Sequence, residues 1–584
     1  MVRSGALTLE GIPLTDVANV YRSGAPKIRP TRKTGDTPFL KYGAYLAAGL
    51  CLLPMVAVAL AAATGSLETL RHLADTVLMR YTITTVQLVV LVAVMTTVIG
   101  VGAAWLVTMT RFPGVRVFEV ALALPFAFPA YVMAYAYTDF LDHPGAVQTA
   151  LRDLTGWGPR DYWFPEVRST GGAALMLALV LYPYVYLLAR AAFMQESATA
   201  TLAARSMGRN AWGAFWSVSL PMARPAIAGG VLLAVMETIA DFGTVSYFGV
   251  QTFATGIYTS WFSLADRGGA AQLALCLLVF ALFLAVLERV QRGKAQNHDA
   301  GKRFERCPPV PLKGWARFGA ILFCAAPVLF GFVLPLVLLF TMGLRSEQDL
   351  FSARYIGFIT NSVTLAGVAA VVTVVGALLI SFNQRLHAGK RATWAAHTAR
   401  IGYAVPGGVI AVGLLVPFAF FDNWVDALAR TYFGISTGLI FTGTITVLVM
   451  AYTVRFMAAA LNSLEGGMTT IKPSVDAVSR TLGQSPMKML WRVHLPLLRP
   501  SLLTALLIVF VDVMKELPAT LIMRPFNFDT LAVQAHRLAA DERLSGAAVP
   551  SLVIVAIGLL PVFLVCRNLA RPHSSTSRSS GTGA

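Results

Sequence analysis

The chain has 584 residues, of which 56% are hydrophobic and 13% charged, with a mean hydropathy of +0.65. Soluble domains carry about 25% charged residues, so a water-soluble enzyme is excluded. The net charge of +18 would suit nucleic acid, but the 47 basic residues lie scattered between apolar runs and form no basic domain, which points to a membrane protein with basic loops.

Residues 1–42 are polar and lack the short apolar core and small-residue cleavage site of a secretory signal, so they read as a cytoplasmic tail. Apolar runs of about 20 residues, enough to cross about 30 Å of hydrocarbon as a helix, then recur twelve times. Six lie at 43–64, 84–109, 118–137, 172–194, 226–248 and 270–288. A basic linker over 289–317 follows and reads as a solvated segment drawn to anionic lipid. Six more lie at 318–342, 360–382, 401–421, 436–459, 501–522 and 547–566, and residues 567–584 form a second tail. Nine of the ten lysines fall in loops on the side of the N-terminus, and the tenth, Lys515, lies within a span. Acidic residues lean to the opposite side. By the positive-inside rule both termini are cytoplasmic. Five cysteines, at 51, 276, 307, 324 and 566, form no CxxC and suggest neither a disulfide framework nor a zinc site.

The chain repeats itself. Moving residue n to n+275 lays Arg205-x-x-Gly208 on Arg480-x-x-Gly483, Trp216 on Trp491, Leu220-Pro221 on Leu495-Pro496 and Ala265-Asp266 on Ala540-Asp541. Upstream the offset drifts to 277, where Thr85 meets Ser362 and Pro129 meets Pro406. The expected fold is therefore all-α and polytopic. Its twelve transmembrane helices form two parallel six-helix repeats, 43–288 and 318–566, about an axis along the membrane normal.

Two cytoplasmic loops, 195–225 and 466–500, carry the duplicated motifs. Trp212, Phe215, Trp216 and Leu220 fall at i, i+3, i+4 and i+8, and Met487, Leu490, Trp491 and Leu495 repeat the spacing, so each loop should hold a short helix with an apolar stripe. A Leu-Pro pair after each stripe is expected to end that helix before the chain re-enters the membrane. Helices lying on lipid, or packed on the bundle's own cytoplasmic face, are alternatives. Duplication at fixed spacing favours two equivalent docking elements.

These loops resemble the EAA-x3-G-x9-I-x-L-P loop of ABC importer permeases. The first copy reads Leu202-Ala203-Ala204-x3-Gly208-x9-Val218-x-Leu220-Pro221, and the second Ala477-Val478-Ser479-x3-Gly483-x9-Val493-x-Leu495-Pro496. The acidic residue is missing from both, which removes one expected polar contact to the ATPase. The resemblance covers nearly all of the chain after residue 42. It implies an ABC importer permease fold, with Ala203, Ala204, Arg205 and Gly208 and the matching Arg480 and Gly483 among the coupling residues. It further implies two copies of an ABC ATPase that bind ATP and Mg, a periplasmic substrate-binding protein, one copy of this chain per transporter, no cofactor in the chain, and residence in a bacterial inner membrane. The stretches 515–520, 524–531 and 237–244 resemble fused iron(III) permeases served by a periplasmic ferric-binding protein. Fused thiamine, phosphonate and polyamine permeases share the layout.

Five ionisable residues are read within spans: Glu237, Asp241, Asp512, Lys515 and Glu516. The 275 offset maps Glu237 to Asp512 and Asp241 to Glu516, so each half carries carboxylates at i and i+4, on one face of a helix. At 1.5 Å per residue they lie about 16 and 22 Å into the span. Such groups are costly in lipid and should face the interface between the halves. There they would either line a cation pathway of hard oxygen donors or form a gating network, and Lys515 at i+3 from Asp512 supports the second. Gly243 and Pro518 follow as matched helix breakers. Histidines do not cluster, so no permanent metal site is read. With no GxxxxGK[ST] loop, ATP hydrolysis must come from another subunit. A proton-coupled secondary transporter fits the span count but leaves the duplicated loops unexplained.

Overall fold

The computed structural model describes residues 38–195, 204, 206–296, 309–349, 352–387 and 389–570. The predicted tail up to residue 37, linker residues 297–308, coupling residues Ala203 and Arg205, and the C-terminal stretch from 571 lie outside the described residues. The chain is an all-α polytopic membrane protein. Among the described residues, eleven helices are long and apolar enough to cross a membrane, and a bent pair makes a twelfth crossing.

The first half runs through α1 (Pro38–Ala63), α2 (Leu67–Met109), the bent crossing of α3 (Val115–Ala121), α4 (Ala130–Leu141) and α5 (Ala146–Thr155), then α6 (Thr170–Gln195) and α7 (Trp212–Ala240). Two short helices, α8 (Gly243–Tyr247) and α9 (Phe253–Tyr258), precede α10 (Arg267–Gln296). The second half follows with α11 (Gly314–Leu344), α12 (Ala353–Leu386), α13 (Lys390–Ile401), α14 (Gly407–Phe433), α15 (Ile445–Thr470), α16 (Pro473–Thr481), α17 (Pro486–Lys515), α18 (Pro518–Met523), α19 (Leu531–Ala540) and α20 (Leu544–Ala570). A two-residue parallel bridge of Thr110–Arg111 with Val310–Pro311 ties the end of the linker to the turn after α2.

Matched positions of the repeat carry matched hydrogen bonds. Thr85 accepts the Phe253 N–H that starts α9, and Ser362 accepts the Leu531 N–H that starts α19. Pro129 and Pro406 sit in extended backbone directly before α4 and α14. A proline there ends the preceding helix and supplies no N–H that the next would need. The span read at 118–137 belongs to a longer crossing, Val115–Ala127 and Ala130–Thr155, bent by 92° at this break.

Other expectations change. The span read at 436–459 is α15, Ile445–Thr470, and the one read at 401–421 is α14, Gly407–Phe433. Apolar residues 434–444 between them are not helical: Gly434 ends α14 at φ +66°, Asp426 accepts the Thr437 and Gly438 N–H groups, and buried Asp422 accepts those of Phe441 and Thr442. Leu220-Pro221 and Leu495-Pro496 do not stop their helices either. Each follows a wide turn with i→i+5 bonding, Phe215–Ser219 and Leu490–His494, and the helix continues into the membrane. Proline clashes with the carbonyl four residues back and cannot bond to it; a widened turn absorbs both problems without breaking the rod.

The halves exchange their first helices. α1 packs on α12, α13 and α14 of the second half, and α11 packs on α2, α3 and α4 of the first. Small residues permit the crossings. A Cβ on Gly413 of α14 would collide with the Pro54 carbonyl of α1, and one on Gly102 of α2 would lie 2.7 Å from the Phe323 ring of α11. Gly413→Ala should therefore destabilise the purified permease by about 1–3 kcal/mol, the usual cost of overpacking. Gly49→Ala, where a Cβ meets nothing within 4 Å, should be neutral in the same thermal melt.

Candidate functional site

Between the halves lies a cavity of about 160 Å³, lined from one side by α4, α6, α7 and α8 and from the other by α15, α17 and α18. All five intramembrane ionisable residues read from the sequence line it. Their arrangement differs from a shared helix face. α7 ends at Ala240 and α17 at Lys515, so Asp241 and Glu516 have extended backbone, one residue beyond the helix. The chain then restarts as α8 or α18, and these carboxylates cap the restart. Asp241 accepts from the Thr244 and Val245 N–H groups at 3.0 and 3.2 Å and from the Thr244 hydroxyl. Glu516 accepts from the Ala519 and Thr520 N–H groups at 3.0 and 3.1 Å and from the Thr520 hydroxyl. The breaks fall two residues ahead of Gly243 and Pro518, at the carboxylates themselves.

Glu237 and Asp512, by contrast, remain on their helices with side chains about a quarter exposed to the cavity, at 28% and 29%. The Tyr403 hydroxyl donates to Glu237 at 3.0 Å, so a second-half phenol meets a first-half carboxylate. Lys515 stands 3.7 Å from Asp512 and 5.0 Å from the centre of the Phe126 ring, and Phe126 is the counterpart of Tyr403 at the 277 offset. Each half thus sets an aromatic residue against the charged end of the other.

The sequence reading missed Arg455. It falls inside the predicted tenth span, lies on α15, and places its guanidinium 3.8 Å from Glu237 and 3.9 Å from Glu516. A Cβ on Gly407 would lie 2.7 Å from both Arg455 Nη1 and Glu516 Oε1, so only glycine leaves room for this approach. A lone arginine in an apolar run was the available signal. Arg190, buried on α6 and 3.5 Å from Glu119, was likewise inside a predicted span. Tyr131 and Tyr184 also line the cavity.

On the loop that precedes α6, Arg168 joins the halves, pairing with Asp142 at 3.1 Å and with both oxygens of second-half Glu542 at 2.8 and 3.0 Å.

At the other end of α7 and α17 lie the duplicated loops. Gly208 and Gly483 have φ of +85° and +70°, a conformation only glycine adopts without strain. Gly483 closes α16, and Ser485 caps the next helix by accepting the Lys488 N–H, as Asn210 accepts the Gly213 N–H in the first copy. The predicted apolar stripes are split. Phe215 and Leu490 are buried, while Trp212, Trp216 and Trp491 are exposed and Leu220, Met487 and Leu495 half-buried. Phe215 packs on Trp105 and Phe193, and Leu490 in a small core with Leu40 and Phe382, so the inward side of each stripe serves the bundle. Ala204 is buried and Arg480 exposed; Pro221 and Pro496 follow the wide turns. Exposed apolar side chains missed by the periodicity, Met207, Val478 and Leu482, surround the two glycines. In the second loop Arg385 pairs with Asp476 at 2.7 Å and donates to the Ile471 carbonyl, fixing α16 against α12.

Residues 72–294 match the family model of the binding-protein-dependent transport system inner membrane component. The chain is 25% identical over 488 residues to the Fe(3+)-transport system permease protein FbpB 2 of Haemophilus influenzae, covering 82% of this chain and 88% of that one. It is 23% identical to the ferric transport system permease protein FbpB of Actinobacillus pleuropneumoniae, over 81% of this chain and 68% of the relative. The molybdenum transport system permease protein ModB of Escherichia coli is 26% identical over 34% of this chain and 87% of its own length. With this kinship and its multi-pass fold, the chain is similar to the membrane permeases of binding-protein-dependent transport systems. The similarity to the ferric permeases runs through both halves, which here stand on one polypeptide.

The two carboxylate classes should respond differently to substitution. Asp241→Ala or Glu516→Ala removes a helix cap and should lower the stability of the purified permease by about 1–2 kcal/mol. Glu237→Gln, which keeps an acceptor for Tyr403, should cost clearly less. Equal losses in thermal denaturation would contradict the division.

Proposed function

We propose that this permease carries ferric iron from a periplasmic binding protein to the cytoplasm, with Glu237 and Asp512 as the carboxylates that meet the ion. The observation that carries the reading is their placement: one from each half, facing one cavity, in a chain similar along most of its length to ferric permeases. Carboxylate and phenol oxygens are the hard donors such an ion prefers. Asp241 and Glu516 serve the backbone and set where α7 and α17 end.

One copy of the chain takes two ATPase subunits, one on each duplicated loop, with both termini cytoplasmic. The exposed loop faces around Gly208 and Gly483 form the docking elements, with Trp212, Trp216, Arg480, Met487 and Trp491 on them. ATP-driven approach of the two ATPase subunits draws the loops together. α7 and α17 carry that movement to the cavity, opening it alternately to the two sides of the inner membrane. The chain itself contributes no nucleotide site.

Two outcomes are expected. In proteoliposomes holding permease, ATPase and binding protein, Glu237→Gln with Asp512→Asn should reduce radiolabelled iron uptake at least about tenfold, a loss of about 1.4 kcal/mol or more. The ATPase should still co-purify, and undiminished uptake would sink the pathway role. Val478→Glu with Leu482→Glu should instead abolish ATPase co-purification while leaving the permease's melting temperature within about 2 °C, as expected for surface substitutions.

A further inference from the structure

The repeat duplicates the cavity's carboxylates but not its cations. At the 275 offset Arg455 corresponds to Val180 and Lys515 to Ala240, and all four positions line the cavity. Asp241 and Glu516 are each satisfied by two backbone N–H groups and a hydroxyl. That leaves Glu237 and Asp512 open, one cation standing beside each at 3.8 and 3.7 Å. Both separations exceed hydrogen-bond length. Arg455 Nη1 is buried and makes no hydrogen bond, although two carboxylates lie near it.

This is a poor structural clamp. A buried ion pair repays its desolvation only with close, fully hydrogen-bonded geometry. It is a good arrangement for charges that must let go. Two open carboxylates at bilayer depth need compensation while the cavity is empty, and a long side chain can supply it and withdraw.

We propose that Arg455 and Lys515 are tethered counter-cations, which neutralise Glu237 and Asp512 in the empty cavity and are displaced when the metal cation arrives. The inference rests on the cation reading given above. An incoming ion must outcompete two positive charges at once. A trivalent ion brings a surplus of charge to the two carboxylates and the Tyr403 oxygen; a monovalent ion cannot. When the cavity opens to the cytoplasm, the returning cations expel the metal. Without them the carboxylates would retain it.

The test uses the assembled transporter of permease, ATPase and binding protein, incubated separately with Ga³⁺ (a redox-silent trivalent ion), Mg²⁺ and molybdate. Each sample is gel-filtered, and metal retained by the permease is measured by mass spectrometry. Arg455→Met with Lys515→Met should retain at least about tenfold more Ga³⁺ than the unaltered permease, the effect of one lost buried ion pair or more. Adding Glu237→Gln should abolish the gain, and Arg455→Lys should behave as the unaltered chain. Gly407→Ala provides an independent variant, since its Cβ displaces the guanidinium without deleting the charge and should raise retention in the same direction. No rise in any retained metal in assembled Arg455→Met/Lys515→Met or Gly407→Ala transporters overturns the proposal. So does molybdate bound by the unaltered chain and lost in Arg455→Met, which would make the cations an anion site. Retention of Mg²⁺ in place of Ga³⁺ upholds the counter-cations and overturns the ferric reading.

Discussion

A chain that leaves helical geometry inside a bilayer must find partners for the backbone groups it frees, because no water is there to supply them. In both halves that duty falls on one carboxylate. Asp241 and Glu516 accept the first N–H groups of α8 and α18, so each helix can end at cavity level and restart in a new direction. The break places the last turn of α7 and of α17 at the cavity wall, with Glu237 and Asp512 on it. The open carboxylates depend on the capping ones for their position.

The same two helices reach the duplicated loops at their other ends. Because the wide turns at Phe215–Ser219 and Leu490–His494 absorb the Leu-Pro pairs, α7 and α17 are unbroken from the duplicated loops to the cavity. At 1.5 Å per residue each is a rod of about 44 Å. Displacing the loop end therefore moves the carboxylate end along one continuous helix. The exchanged helices α1 and α11 wrap each half with an element of the other, so the rods move within a bundle that cannot simply fall into two.

The repeat was legible because it is written in residues with backbone consequences. Gly208 and Gly483 occupy the same left-handed turn, Pro129 and Pro406 the same helix entry, and Thr85 and Ser362 accept the same kind of N–H. The carboxylates were found by the cost of charge in an apolar run. Their division of labour was not, since helical periodicity assumes a helix that continues, and Asp241 and Glu516 are the residues that allow it to stop. Proline misled for a related reason: it forbids one hydrogen bond, and whether a wide turn or a helix end resolves that depends on packing. Arg455 and Tyr403 escaped because they have no like-charged or like-functional counterpart in the first half, where Val180 and Phe126 stand. A search for what the repeat duplicates passes over what only one half supplies.

The central claim is that Glu237 and Asp512 face a cavity that opens to one side of the membrane at a time under the control of the ATPase. Its most direct test is the accessibility of Glu237→Cys and Asp512→Cys to a membrane-impermeant thiol reagent, with the native cysteines replaced and the reagent applied from each side, with and without ATP. The account predicts labelling from the cytoplasmic side without nucleotide and from the periplasmic side in the ATP-bound state, at both positions. Labelling from the same side in every nucleotide state, or at neither position, would contradict it.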